Sequence, residues 1–418
     1  MIQKILHLLK ENNIRTYLIN TDVEESHELF FIKKNLDMKR MKNVSKYELT
    51  IFNDFEKDNV KMRGSATCQI YPDMSYEDID SKIKSAYYAA SFATNPYYPL
   101  PGPEESSGYN NSSDFVTEDA IRIMTEALFA DDNSSDCFIN SAELFVSKHT
   151  HCTISSEGVN VSYSYNTIEG EFVAQCISSQ DVETYSDFYC ETPDASALRE
   201  KVTEVLKITR DRSIATKINT TGKIKAIISG QYVYDLLGFY LNRSSASMIY
   251  PKYSDFKLNE QVQNDNITGD SLNISLTARY PYSSEGIAMK DLPLLKDGIL
   301  NNIHGSSRFC HYLNVKPTGV YTDIKVTPGT ISINEMKKGK YLHIVNFSDF
   351  QMDALSGRFG GEFRLAYYCD GETVIPVTGG SVSGSILELS DNIHLSSETQ
   401  KIKGYEGPLA ISIENISF

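Results

Sequence analysis

The feature that most constrains the fold of this chain is a glycine-rich stretch between Ser348 and Ser397. Its short runs alternate apolar and polar residues, which is the pattern of β-strands with one buried face. Glycine in a strand marks a bulge, a tight turn or a place where another backbone comes close. We therefore expect a sheet that another segment of chain can approach. The glycines concerned are Gly357, Gly360, Gly361, Gly371, Gly379, Gly380 and Gly384.

Length and composition are those of an ordinary soluble globular protein. The 418 residues suffice for two domains, and 41% of them are hydrophobic and 23% charged. The net charge of −15 argues against general binding to nucleic acid, which requires a basic surface that displaces counterions. We therefore do not expect DNA or RNA to be a partner.

The sequence also predicts a cytoplasmic protein that does not enter a membrane. Its first residues, MIQKILHLLKENN, are too short and polar for a signal peptide, and no run of about 18 apolar residues follows anywhere. The seven cysteines are an odd number, are widely spaced and form no CxxC motif. Reduced, mostly buried thiols are the expectation for such a pattern.

Apolar spacing predicts two helices in the first half of the chain, one capped by Ser75 and one that starts at Thr117. The proline-rich segment after Asn95 is expected to be a loop, either a plain surface connection or a cover over a site. The residues expected on the buried helical faces are Ile79, Ile83, Ala86, Tyr87 and Ala90 in the first helix and Ala120, Met124 and Leu128 in the second.

Period-two alternation from Leu144 onwards predicts an antiparallel meander. Residues 155–158 and 166–170 are expected to form its turns. The residues expected to share one face between these turns are Val159, Val161, Tyr163 and Tyr165.

The second half begins after a helix that is expected over residues 194–209. The segment KIKAIIS then predicts a strand, and residues 231–242 predict a helix with a buried face. Beyond Ile249 the pattern is that of short strands and loops. We therefore predict an α+β fold in two subdomains. They are an N-terminal domain of helices and antiparallel sheet in residues 1–190 and a mostly β C-terminal domain with a helix in 221–418, and a helical connection in 191–220 joins them.

Four segments of the chain have sequences that can be recognised as family motifs. They are NSAELFVSKHTHCTISSEGVNVSYSY in residues 140–165, PYSSEGIAMKDLPLLKDGIL in 281–300, KPTGVYTDIKVTPG in 316–329, and the glycine-rich stretch. Together they resemble the TldD/PmbA family of bacterial proteins, once called modulators of DNA gyrase and now linked to peptide processing. The resemblance implies an α+β fold in two subdomains, a cytoplasmic dimer and work in proteolytic maturation or degradation of peptides.

One helix indicates which branch of that family the chain resembles. Catalytic members carry HExxxH on a helix of the second half and a cysteine further on. These residues hold a zinc ion, and the glutamate takes a proton from the metal-bound water. The helix here that looks equivalent, VYDLLGFYLNRSS, has no histidine and no glutamate, and the final segment GYEGPLAISIENISF has no cysteine. The eight histidines are His7, His27, His149, His151, His304, His311, His343 and His394, so none falls between Cys152 and Ile303.

The resemblance is therefore to the PmbA branch, also called TldE, which is the partner subunit without a zinc signature. It implies no catalytic residue, no metal ligand and no cofactor in this chain, with zinc only in a TldD-like partner. The partners it implies are that zinc subunit or a second copy of this chain, and an unfolded peptide substrate.

Two other groups of residues are weak candidates for chemistry. His149, His151 and Cys152 lie on a predicted strand, where the histidines share one face and the cysteine points away. A surface or edge strand is the simpler interpretation. Cys310 and His311 suggest a nucleophile and its base, but adjacent residues diverge on a strand. A buried thiol beside an unrelated histidine is the simpler interpretation there.

The glycine-rich stretch is the candidate peptide-binding site. A peptide that adds as a strand to a sheet edge is bound by main-chain hydrogen bonds, and glycine lets its backbone come close. Arg358 and Arg364 are candidates for holding a peptide carboxylate. The alternatives are that the glycines only shape turns and that the arginines pair with Asp353 and Glu362. The candidate peptide-binding residues are Arg358, Gly360, Gly361, Gly379, Gly380 and Gly384.

Three functions are compatible with these features. The first is an accessory subunit that helps to form a chamber and presents unfolded peptide to a zinc-bearing subunit. The second is a homodimeric peptide-binding or interaction protein with no catalytic partner. The third is an enzyme with an unrecognised site near Cys310 and His311.

Overall fold

The computed structural model describes residues 1–106, 115–264 and 266–418, and the chain has an α+β fold. Residues 107–114, which belong to the predicted proline-rich loop, lie outside the described residues. The helices are α1 Ile2–Glu11, α2 Tyr76–Ala90, α3 Thr117–Phe129, α4 Ala195–Ile214, α5 Gln231–Arg243, α6 Ala246–Ile249, α7 Ser307–Tyr312, α8 Ile333–Met336 and α9 Ile386–Leu389, followed by a 3-10 turn at Ser390–Asn392. Within the described ranges, none of the helices has the length and apolar character that a membrane crossing requires.

The strands alternate with these helices along the chain. In the first half they are β1 Thr16–Ile32, β2 Asn35–Lys57, β3 Val60–Ile70, β4 Cys137–Ser155, β5 Asn160–Ile177 and β6 Asp181–Cys190. In the second half they are β7 Thr216–Lys217, β8 Lys223–Ser229, β9 Ile274–Thr277, β10 Leu292–Lys296, β11 Ile299–Leu300, β12 Asp323–Val326, β13 Tyr341–Met352, β14 Arg358–Cys369, β15 Val374–Thr378, β16 Gly380–Ser385, β17 Ile393–Leu395, β18 Thr399–Ile402, β19 Tyr405–Pro408 and β20 Ala410–Ser417.

The N-terminal sheet is antiparallel throughout and has the strand order β3-β2-β1-β4-β5-β6. Helices α1 to α4 all cover one of its faces. Ile19 of β1 packs in a hydrophobic cluster with α1 and α2, and Leu29 of the same strand packs with α3 and α4. Because alternate strand residues share a face, the intervening residues of β1 point to the other side. That second face is largely polar.

The C-terminal domain contains two further sheets with α5 packed against both. Strand β13 pairs with β8 and with β14, so β13, β8, β20, β16 and β14 form a closed ring. The second sheet has the order β11-β10-β9-β12-β19-β18. Leu236 and Leu237 of α5 share one hydrophobic cluster with Ile228 of the ring and Leu276 of the second sheet. Helix α5 is thereby fixed in position along most of its length.

The described part of the proline-rich segment, residues 96–106, contacts the second half of the chain. The hydroxyl of Tyr312 donates a hydrogen bond to the carbonyl oxygen of Pro96 at 2.5 Å. The backbone N–H of Ser106 donates to the hydroxyl of Tyr282 at 3.1 Å. These contacts hold the segment against the C-terminal domain.

Several predicted elements are confirmed. Ser75 caps α2, because its Oγ accepts a hydrogen bond from the backbone N–H of Asp78 at 3.1 Å. Helices α3, α4 and α5 and strand β8 begin at or next to the residues that the pattern predicts. The residues expected to be buried on α3 are buried, namely Ala120, Met124 and Leu128.

The turn that was predicted at residues 166–170 is wrong. Strand β5 continues through these residues and pairs with β4 on one side and β6 on the other. Gly170 does not end the strand but lets β4 come close, since a Cβ there would lie 2.0 Å from the carbonyl oxygen of Glu143.

Two further predictions in the helices and strands are wrong. Tyr87 is 41% exposed on α2, because it lies at the margin of the stripe formed by Ile79, Ile83, Ala86 and Ala90. Cys310 and His311 lie in helix α7 and not on a strand. This helix has only 6 residues, which is too few for a helical period to show in the sequence.

Candidate functional site

A cavity of about 220 Å³ lies between helix α5 and the hairpin formed by β13 and β14. A second cavity of about 420 Å³, which hairpin residues alone line, adjoins it at Met352, and we call the two together the groove. This combined size is within the range of ligand-binding clefts in proteins. The residues of α5 that line it are Tyr234, Asp235, Gly238, Leu241 and Asn242. The hairpin contributes among others Gln351, Met352, Arg358, Phe359, Gly360 and Gly361.

The α5 wall of the groove follows from the helical period. Asp235, Gly238 and Asn242 are spaced i, i+3 and i+7, so they lie on one face of the helix. The other faces of α5 are buried in the hydrophobic cluster of the domain. A Cβ added at Gly238 would meet no atom within 4 Å, so the groove has open space above this residue.

Asp235 is the acidic group of the α5 wall. It is exposed in the groove, and it has no hydrogen-bond or ion-pair partner in the described part of the chain. Although water reaches the carboxylate, the protein that surrounds it disfavours the charged form and raises its pKa to about 6. Asp235 is therefore an acid that its own chain leaves free to bind a ligand.

The hairpin wall holds the predicted residue Arg358, which is exposed at the start of β14. Among the described residues neither Arg358 nor Arg364 forms an ion pair, so the expected pairing with Asp353 and Glu362 is wrong. The Asp353 carboxylate instead accepts hydrogen bonds within its own turn, one of them from the backbone N–H of Leu355 at 2.9 Å. The guanidinium of Arg358 therefore remains available in the groove.

Gly360 and Gly361 also line the groove, and packing inside the sheet explains why they lack side chains. A Cβ at Gly361 would lie 2.0 Å from the carbonyl oxygen of Asp349, and one at Gly360 would lie 2.6 Å from that of Val382. The close backbone approach at these glycines is thus made by neighbouring strands of the same chain.

The remaining predicted glycines are not among the described residues that line the groove. Gly380 and Gly384 lie on β16, where a Cβ would meet the rings of Phe363 and Phe359 at 2.5 and 2.6 Å. Gly379 lies in the turn before β16 with a φ of +72°, a conformation that favours glycine. The structure therefore brings Arg358, Gly360 and Gly361 together and separates them from the other three.

The groove has no ligand set for zinc. In the described ranges no three His, Cys, Asp or Glu side chains are grouped so that they could hold a metal ion. Asp235 is the acid that α5 presents, beside the phenol of Tyr234 and the amide of Asn242. A structural or catalytic zinc site needs at least three imidazole, thiolate or carboxylate ligands. The residues present do not fit that metal.

His149 and His151 share the polar face of the N-terminal sheet, as the strand pattern predicts, and Cys152 points to the opposite side. The His149 ring stacks on the ring of Tyr165 with centroids 4.7 Å apart. The Nδ1 atom of His151 lies 2.8 Å from a carboxylate oxygen of Asp22. Both rings are therefore engaged with neighbouring strands.

Cys310 and His311 do not have the arrangement of a nucleophile and its base. The Cys310 thiol is completely buried, and burial raises its pKa to about 11, so a thiolate is scarce at neutral pH. The His311 side chain is exposed to solvent, whereas the thiol beside it in the chain is buried. No reactive pair results.

Sequence reasoning missed the α5 wall of the groove. The signal was present, because Asp235, Gly238 and Asn242 form a small and polar stripe on a helix that is otherwise apolar. Asp235 and Gly238 were noted only as part of a helix without zinc ligands.

Comparison with known proteins supports one family. Residues 221–418 match the model of the PmbA/TldA metallopeptidase C-terminal domain. A protein of Methanothermobacter thermautotrophicus described as a metalloprotease is 21% identical over 364 residues, which cover 80% of this chain and 74% of that protein.

Solved structures of low sequence identity share the whole fold. The chain resembles TldE of Thermococcus kodakarensis with a TM-score of 0.76 and 13% identity, covering 99% of both chains. It resembles a proposed modulator of a DNA gyrase from Thermotoga maritima with a TM-score of 0.77 and 15% identity, covering 100% of this chain and 98% of the other. A Bacteroides thetaiotaomicron protein with the same description gives a TM-score of 0.75 at 14% identity, with 100% and 98% covered.

Proposed function

Because this chain belongs to the TldD/PmbA family through its C-terminal domain, we propose that it is a non-catalytic subunit of a peptide-processing metallopeptidase. The subunit binds extended peptide in the groove between α5 and the β13–β14 hairpin. It presents that peptide to a TldD-like subunit, which carries the zinc and hydrolyses the bond. The assembly is a cytoplasmic dimer that serves proteolytic maturation or degradation of peptides.

The observation that carries this proposal is an open strand edge beside a helix without metal ligands. Strand β13 pairs with β8 only at residues 342–344, whereas its pairing with β14 extends to Met352. In the described part of the chain no strand pairs with the other edge of β13 from residue 346 onwards. This edge borders the groove at Phe350 and Met352.

An open edge of this kind suits a ligand that has no fixed sequence. Its main-chain N–H and C=O groups can pair with any extended peptide, while side chains of the peptide project into the adjoining cavities. Arg358 is placed to bind a carboxylate of that peptide. Because α5 offers no zinc ligands, hydrolysis requires a second subunit.

The binding part of the proposal is tested with an unstructured ten-residue peptide by isothermal titration calorimetry. We expect binding by the wild-type protein and at least about tenfold weaker binding by Gly238→Leu, whose side chain fills the groove, since tenfold corresponds to about 1.4 kcal/mol. The matched control is Gly102→Ala, because a Cβ there meets no atom within 4 Å and lies outside the groove. Equal binding by all three proteins would overturn the groove as the site.

The catalytic part is tested by metal analysis and by reconstitution. We expect no stoichiometric zinc in the purified chain and no peptide hydrolysis by the chain alone. Addition of a zinc-bearing TldD-like subunit should produce hydrolysis that a chelator abolishes, together with a dimer by mass in solution. Chelator-sensitive hydrolysis by the isolated chain would contradict the proposal. Peptide binding by a homodimer that no such subunit activates would favour the alternative of a peptide-binding protein without a catalytic partner.

A further inference from the structure

We propose that the groove recognises the ammonium group of its peptide ligand through the carboxylate of Asp235. This inference rests on the proposed function and adds a chemical class of ligand to it. Asp235 lies in one of the two adjoining cavities and Arg358 lies in the other. Met352 lines both cavities, and in this proposal a single extended chain passes it and meets both residues.

The charges of the groove favour a cationic ligand group. Among the described residues that line it, Asp235, Asp349 and Asp353 are acidic, and Arg358 is basic. Asp349 accepts a hydrogen bond from the backbone N–H of Glu362, and Asp353 accepts one from that of Leu355. Those two carboxylates are therefore engaged by the hairpin itself. Asp235 is the carboxylate that the described residues leave without a partner, so it is the one that a ligand can use.

The space around Asp235 fits a small cation with several donors. The groove is open above Gly238, one turn of helix further along the same face, because no atom lies within 4 Å of where its Cβ would be. Asn242 follows on that face, and its amide nitrogen donates to the carbonyl oxygen of Gly238 at 3.0 Å. Its amide oxygen is therefore left as a second acceptor. Asn242 lies two turns from Asp235, about 10 Å along the helix, so a primary ammonium binds at the Asp235 carboxylate and the Asn242 oxygen is open to another donor of the same peptide.

A divalent metal is a poorer occupant of the same place. Such an ion takes several carboxylate, imidazole or thiolate ligands, and the described residues bring together no three of these groups. The single unpartnered carboxylate matches a monovalent ammonium instead. With the ammonium at Asp235, an acidic group of the same peptide can reach Arg358, so the two residues would also fix the direction in which the peptide lies.

Three versions of one ten-residue unstructured peptide test the inference by isothermal titration calorimetry. The first has a free amino terminus and no lysine, the second is acetylated and has no lysine, and the third is acetylated and contains one lysine. All three have the same amidated carboxyl terminus. The protein variants are wild type, Asp235→Asn and, as the control, Asp255→Asn, whose carboxylate is 87% exposed outside the groove.

We expect the acetylated peptide without lysine to bind wild-type protein about 5- to 50-fold more weakly than at least one of the two peptides that carry an ammonium, as for a charge-assisted hydrogen bond. Tight binding of the first peptide alone identifies the terminal amine, and tight binding of the third alone identifies a lysine side chain. Asp235→Asn should bind the peptides with and without an ammonium group equally. Asp255→Asn should retain the preference of the wild-type protein.

The outcomes separate this inference from the proposed function. If all three peptides bind wild-type protein equally, ammonium recognition is overturned while peptide binding in the groove stands. If discrimination persists in Asp235→Asn, the assignment to Asp235 is overturned. If no peptide binds at all, the proposed function itself fails. Far-ultraviolet circular dichroism of each variant confirms that the comparison is made between folded proteins.

Discussion

The guanidinium of Arg243 donates a hydrogen bond to the carbonyl oxygen of Leu355 at 3.0 Å, and this contact joins the two walls of the groove. Arg243 is the last residue of α5, and Leu355 lies in the turn between β13 and β14. The guanidinium is buried and lies over the rings of Phe239 and Phe256. This cation therefore helps to fix the hairpin relative to α5, in addition to the hydrogen bond that the backbone N–H of Phe347 donates to the Tyr232 hydroxyl.

Replacement of Arg243 by Met should destabilise the protein and loosen the groove. The substitution leaves the carbonyl oxygens of Tyr253 and Leu355 without their donor, so we expect the free energy of unfolding to fall by about 2–3 kcal/mol. Urea unfolding measures this change. Peptide binding by the folded variant should weaken as well, because the hairpin wall is no longer fixed.

Asp255→Asn is the matched control for Arg243→Met. Asp255 pairs with the same guanidinium, but its side chain is 87% exposed, so this ion pair contributes less than about 1 kcal/mol. Similar losses of stability in the two variants would show that the exposed carboxylate, and not the bonds to the hairpin turn, accounts for the role of Arg243.

Gly361→Ala should also destabilise the protein. The added Cβ would lie 2.0 Å from the carbonyl oxygen of Asp349, so β13 and β14 must separate locally, and we expect a loss of about 1–3 kcal/mol. Gly102→Ala is the control, with an expected change within about 0.5 kcal/mol because its Cβ is in open space. A Gly361→Ala protein as stable as wild type would contradict the packing explanation for this glycine.

Much of the secondary structure could be predicted because local patterns and tertiary contacts agree. The segment from Lys223 to Arg243 is an example, since its apolar runs have the strand and helix periods and both elements are buried against the core. The prediction failed at residues 166–170 because polar residues and glycine indicate a turn, whereas two neighbouring strands hold β5 extended. Local sequence does not contain that information.

The candidate site was only partly predictable for the same reason. Arg358, Gly360 and Gly361 adjoin in sequence, so their common location in the groove needs no tertiary knowledge. Asp235 lies more than a hundred residues earlier, and only the packing of α5 against the hairpin brings it to the same groove. The glycine pattern could not distinguish approach by a ligand from approach by a neighbouring strand.

Gly238→Ala should stabilise the folded chain while narrowing the groove. Alanine is favoured over glycine within a helix by up to about 1 kcal/mol, and the added methyl group meets no other atom within 4 Å. We therefore expect a higher unfolding midpoint in urea together with weaker peptide binding. A variant that is more stable and binds peptide as well as wild type would show that no ligand contacts this part of the groove.

His343 of β13 lies beside the last residue of β8 and is expected to make stability depend on pH. Its Nε2 lies 2.7 Å from Oγ of Ser229, the last residue of β8. Its Nδ1 is buried and has no hydrogen-bond partner among the described residues. Burial disfavours the charged ring, and the nearby Lys337 does so further, so the pKa of His343 is lowered to about 3.

Since a histidine in the unfolded chain has a pKa near 6.5, the unfolded state takes up a proton below that pH while native His343 does not. The stability contributed by its neutral form is therefore present above about pH 6.5 and is lost as the pH falls towards 3. Between pH 7.5 and pH 5 this loss amounts to about 2 kcal/mol. Replacement of His343 by Asn should lower stability at pH 7.5 but remove about that much of the decline towards pH 5. Urea unfolding at both pH values measures the difference, and an equally steep decline in wild type and variant would contradict the assignment.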